Sequence, residues 1–160
     1  MRTADKNVSI GRIGLRSGLF TAVFLIIYFL FMRSLGLTGN AFAWGFNFII
    51  LYAGINFCYR YYRVRTDPNV EYLPGMLLGT EVTFVSVIVF SLFLYVYFSS
   101  VNPGLVNSLG SNVLFMSDVV TPMRAAAATF IEGLSSGVVI SFAMMQYYQS
   151  GFRRPGKNAG

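Results

Sequence analysis

Four mostly apolar runs, separated by short polar or glycine-containing stretches, organise the chain. They extend from about Gly14 to Met32, Ala41 to Tyr59, Pro74 to Phe98 and Pro122 to Tyr148. A helix needs about 20 apolar residues to cross a bilayer's hydrocarbon core. Only a helix or a closed barrel satisfies its own backbone there. The pattern therefore predicts four membrane-spanning helices in one domain covering residues 1–160. Leu73-Pro74 and Thr121-Pro122 fit helix starts, because a first turn has no use for the missing N–H. The connections run from Arg33 to Asn40, from Arg60 to Leu73 and from Ser99 to Thr121. The last is long enough for a short helix lying on the membrane surface.

Composition agrees with the pattern. Apolar residues make up 55 % of the 160 residues and charged residues 11 %. A soluble fold of this size has too small an interior to hide that much apolar surface. Charge then orients the spans. Arg2, Lys6, Arg12 and Arg16 precede the first, Arg60, Arg63 and Arg65 follow the second, and Arg153, Arg154 and Lys157 follow the fourth. Only Arg33 and Arg124 fall on the other side. A bias of ten basic residues against two places both termini in the cytoplasm under the positive-inside rule. Trp44, Tyr95 and Tyr97 then mark the outer interface, and Tyr59, Tyr61, Tyr62, Tyr72, Tyr147 and Tyr148 the inner one, as aromatic belts do. The first run ends too far from Ala41-Phe42-Ala43 to read as a cleaved signal peptide. The net charge of +6 forms no basic patch, so nucleic acid is not an expected partner. Membrane lipids are.

Polar residues inside the spans are the candidates for chemistry, because burying them there is costly. Glu81 in the third span falls roughly 7 Å to the inner side of the midplane, and Glu132 in the fourth roughly 6 Å to the outer side. At different depths they do not make a catalytic carboxylate pair. Asn47 of the second span shares the depth of Glu132, and Asn56 that of Glu81, near Ser17 and Thr21. The two asparagines are nine residues apart and so on opposite faces of their helix. Two separate polar clusters are expected rather than one polar stripe. The glutamates read either as hydrogen-bonded ties between helices or as proton or substrate sites.

Small residues recur at four-residue spacing in Gly14/Gly18, Gly75/Gly79 and Gly133/Gly137, which permits close helix approach. The face carrying Gly75, Gly79, Gly133 and Gly137 is read as a packing surface, within the bundle or toward a partner. With no His and only Cys58, the chain offers no metal-ligand motif, and no cofactor is expected. Phosphate-binding loops and hydrolase signatures are also missing, so the sequence points away from an enzyme.

Gly75-xxx-Gly79 opening the third span, Tyr95-Val-Tyr97 closing it before Asn102-Pro103-Gly104, and Phe130-Ile-Glu132-Gly133-xxx-Gly137-Val-Val-Ile-Ser141 in the fourth form a further pattern. Over roughly Arg12 to Ser150 the chain resembles a bacterial domain-of-unknown-function family, number 4199, of small four-helix membrane proteins. The resemblance implies a bacterial inner-membrane location and transfers no functional residue. The expected fold is an all-α bundle of four transmembrane helices. The expected role is a non-catalytic accessory or scaffold subunit of a larger membrane complex, associating with other subunits or with itself. The alternative is a small oligomeric proton-coupled transporter or channel using the intramembrane glutamates.

Overall fold

The computed structural model describes residues 10–65, 72–101 and 121–150. They form four long helices: α1 (Ile10–Ser34), α2 (Ala41–Arg65), α3 (Tyr72–Val96) and α4 (Pro122–Ser150). Each is long and apolar enough to cross a membrane, and no strand occurs among the described residues. Where their ends are described, the helices outrun most of the apolar runs, by nearly two turns at the C-terminal end of α2. There the tyrosine- and arginine-rich stretch expected as a loop continues the helix to Arg65. Apolar runs mark what needs covering, whereas the helix goes on until its backbone is broken. The basic tail from Gly151, the Asp67-Pro68-Asn69 and Asn102-Pro103-Gly104 turns, and nearly all of the surface helix expected between Ser99 and Thr121 fall outside the described residues.

Local chemistry explains the described ends. At the end of α1, Gly36 takes φ 69°, a left-handed conformation that favours glycine. Its N–H donates to the Arg33 carbonyl at 3.1 Å. A single 3₁₀ turn, Leu37–Gly39, leads to Asn40. The Oδ1 of Asn40 accepts the Phe42 N–H at 2.9 Å and so caps α2. Trp44 Nε1–H donates back to the Thr38 carbonyl at 2.9 Å, closing the α1–α2 hairpin. Thr121 caps α4 by accepting the Arg124 N–H. Pro122 takes the first helical position, where proline is tolerated. After Val96 the third helix loosens into a π-helical turn, Tyr97–Val101.

α3 is the axis of the bundle. It packs along its length against both α1 and α4, while α2 lies across all three. α1 runs parallel to α3: Gly14 meets Glu81, Gly18 meets Val85, and Phe29 meets Phe90, Phe93 and Tyr97. α4 runs antiparallel to α3: Gly133 meets Val87, Gly137 meets Thr83, and Ser141 meets Gly79. Toward the Glu81 end the two sets lie on opposite faces of α3: Glu81 and Val85 turn to α1, and Thr83 and Val87, two residues on from each, turn to α4, as steps of about 100° per residue require.

The core divides into two ends. One holds Ile55, Cys58, Tyr59, Leu78, Val82 and Met145 from three helices, closed by Ile13 of α1. The other is aromatic and centres on Phe29, with Phe90, Phe98, Leu94 and Leu25 around it. Tyr59 is 1 % exposed. It belongs to the core and not to an interfacial ring, which corrects the placement its neighbours suggested. Outside, large apolar side chains such as Phe42 (84 % exposed) and Met123 (72 %) face away from the bundle. Apolar exposure of this extent needs a cover other than water.

Candidate functional site

Glu81 is the first candidate, and α1 makes its seat. A side chain at Gly14 would place its Cβ 2.5 Å from Glu81 Oε2 and 2.7 Å from Cδ. At Gly11 the same atom would lie 3.3 Å from Oε1. The carboxyl group therefore lies along a bare strip of helix backbone, half-buried. No side chain among the described residues hydrogen-bonds to it. Asn56, expected at its depth, is engaged elsewhere: its Oδ1 accepts the Tyr148 hydroxyl at 2.9 Å.

Glu132 is placed oppositely. Its position follows from the α3–α4 seam, whose ladder steps by four residues on both helices. Because Gly133 and Gly137 turn inward to Val87 and Thr83, the adjoining stripe of Glu132, Ser135, Val139, Phe142 and Gln146 turns outward. Glu132 is exposed and within one turn of the middle of the apolar stretch Pro122–Tyr148. Its expected neighbour in depth, Asn47, is half-buried on α2 with its Oδ1 enclosed and without a hydrogen-bond partner among the described residues. The ladder sets Glu132 level with residue 88 of α3. Glu81 and Glu132 thus differ by about 10 Å along the axis. The structure brings neither glutamate to an asparagine, nor the two glutamates together.

The glycine face is used within the chain. Gly79 is crowded by Tyr59 Oη and Ser141 Oγ, which lie 2.5 and 2.6 Å from where its Cβ would be. Gly75 offers its carbonyl to the Tyr59 hydroxyl at 2.8 Å. Gly133 and Gly137 take Val87 and Thr83. Of the two surfaces these glycines offered, internal packing is the one they serve.

Tyrosines do the interhelical polar work, which the sequence did not single out. Besides the Tyr59 and Tyr148 bonds, Tyr28 donates to the Ala43 carbonyl at 2.8 Å. The Arg63 guanidinium stands over the Tyr148 ring, 5.4 Å from its centroid, within cation–π reach. By contrast, Thr21, Thr83, Ser86 and Ser141 each return their hydroxyl to a carbonyl of their own helix at 2.7 to 2.9 Å. Among the described residues these buried hydroxyls are satisfied within their own helices, and Ser141 also meets the Tyr59 hydroxyl of α2. Among the described residues no cluster of His, Cys, Asp and Glu forms a metal site. Cys58 is buried and free.

No model of a protein family, no curated protein and no solved structure matches this chain.

Proposed function

We propose that the chain is a multi-pass protein of a bacterial inner membrane, with its basic end in the cytoplasm, and that it is a non-catalytic subunit of a larger membrane assembly docking through α4. The observation that carries this is the outward position of Glu132. Insertion scales put the cost of an ionisable side chain at the centre of a lone spanning helix at about 3 kcal/mol. Such groups normally face protein or water. Here the chain's own helices leave Glu132 uncovered, and Ser135 stands beside it on the same stripe. A polar side chain from a neighbouring subunit relieves that cost, and protein packed over the stripe covers its apolar part.

The basic residues support the orientation. Arg12, Arg16, Arg60 and Arg63 gather at one end of the bundle, and Arg33 and Arg124 stand at the other. The transport alternative draws less support. A proton or solute path needs linked polar groups, whereas the core hydroxyls are turned back onto their own helices. The two carboxyl groups also lie apart, Glu81 on the seam with α1 and Glu132 on the outward stripe of α4.

The test is the mass of the full chain extracted from its membrane in mild detergent, beside Glu132→Leu. The wild type is expected to run as a defined complex, and the variant to dissociate at about tenfold higher concentration. Its own unfolding should be nearly unchanged, because Glu132 stands on the exposed stripe of α4. Lone monomers for both proteins would overturn the reading.

A further inference from the structure

A half-open groove of about 250 Å³ lies between α1 and α2 at the basic end of the bundle. Its lining changes character along both helices in the same direction. On α1, Arg12 and Arg16 stand outermost, Ser17 follows, and Phe20 lies one turn nearer the middle. On α2, Tyr61 stands outermost and Phe57 one turn nearer the middle. Phe20 is 68 % and Phe57 63 % exposed, so the apolar part is open along its side.

The two arginines project together. Four residues apart on α1, they stand on one face, because side chains at that spacing lie one above the other. Gly14, midway between them in sequence, points to the opposite face and there seats Glu81. The nearest seated carboxyl group therefore lies on the other side of the helix. Among the described residues neither guanidinium has an ion-pair or hydrogen-bond partner. Two cations at the end of an aromatic-walled trough complement an anion joined to a hydrocarbon chain. An acidic protein segment matches the charges but leaves the open aromatic wall uncovered.

We infer that this groove is a binding site for an anionic phospholipid of the leaflet at the basic end. Its phosphate is held by Arg12 and Arg16, with Tyr61 and Ser17 at the headgroup, and one acyl chain lies along Phe20 and Phe57. The assignment rests on the membrane-spanning reading, and it is independent of whether α4 docks a partner. Membrane extraction of the chain separates the two: a chain released without detergent ends the membrane reading itself.

The experiment uses the full chain in bilayer nanodiscs of phosphatidylcholine with a minor fraction of phosphatidylglycerol. Native mass spectrometry counts the lipids that stay bound. The wild type is expected to retain phosphatidylglycerol above its fraction in the bilayer. Each of Arg12→Gln and Arg16→Gln should lower that enrichment about fivefold, the usual contribution of one arginine near an anionic headgroup. Arg60→Gln removes the same charge at the same end outside the groove and should leave the enrichment nearly intact. Both groove arginines are exposed, so neither change opens the core. Equal losses in all three variants mean a diffuse surface field and overturn the site, as does a wild type with no enrichment. Displacement of the lipid by inorganic phosphate alone also overturns it, because the groove would then be a site for a free anion.

Discussion

Glu81 and Glu132 are the same side chain on neighbouring helices, each inside an apolar stretch, and the bundle treats them in opposite ways. Glu81 is laid against α1 because Gly11 and Gly14 leave no side chain in its way. Glu132 is turned out because the next residue, Gly133, belongs to the seam with α3. Neither outcome is a property of the glutamate. Each is decided by where glycines stand, on the facing helix in one case and on its own helix in the other. A carboxyl group in a spanning helix is thus a question about its neighbours before it is a question about chemistry.

The contrast between the two glutamates disappears most completely if the α3–α4 seam is lost. Gly137→Val pushes its side chain into Thr83, whose Cβ would be 2.8 Å from the new Cβ and has nowhere to move. We expect a loss of about 3 kcal/mol, the upper end for overpacking a tight site, read from unfolding in detergent. Glu132 would lose its fixed outward aspect in the same variant, and assembly should fail with it. Wild-type stability for Gly137→Val would show that the two helices do not meet at this ladder.

Glu81 offers a gentler test. Gly14→Ala meets Glu81 from its Cγ outward, and because that flexible side chain can turn aside we expect a loss of about 1 kcal/mol, the lower end for overpacking. Removing the obstacle with Glu81→Ala should make the same glycine change nearly neutral, a coupling that a double-mutant cycle measures. Additive effects would mean that the carboxyl group does not rest on Gly14.

The sequence disclosed the helices and much less of their use. Apolar length alone located the four long helices, because the length needed to cross a hydrocarbon core is a simple quantity to look for. Thr121-Pro122 announced the start of α4 through chemistry that is local in sequence, whereas the cap that Asn40 gives α2 emerged only with the structure. Gly79, Gly133 and Gly137 were visible as small residues at four-residue spacing, but the spacing is the same for an internal seam and for a partner's. Pairing Gly133 with Val87, Gly137 with Thr83 and Gly79 with Ser141 required the antiparallel register of α3 and α4. Depth along the spans put Asn56 level with Glu81, yet depth fixes only one coordinate, and rotation about each helix gave Asn56 to Tyr148. Tyr59 looked interfacial beside Arg60, Tyr61 and Tyr62. Its burial depends on Gly79, twenty residues further along the chain, making room for it, and on the Gly75 carbonyl accepting its hydroxyl.

Whether protein covers the Glu132 stripe of α4 in the membrane is open to direct measurement by photo-crosslinking in intact membranes. The photoreactive residue is placed at Ser135 and, for comparison, at Leu19 on the outward face of α1. Both positions are exposed in the bundle. We expect one discrete protein adduct from position 135, lost when Glu132→Leu is added, and no discrete adduct from position 19. Lipid adducts alone from position 135, the same as from position 19, would contradict a docking role for α4.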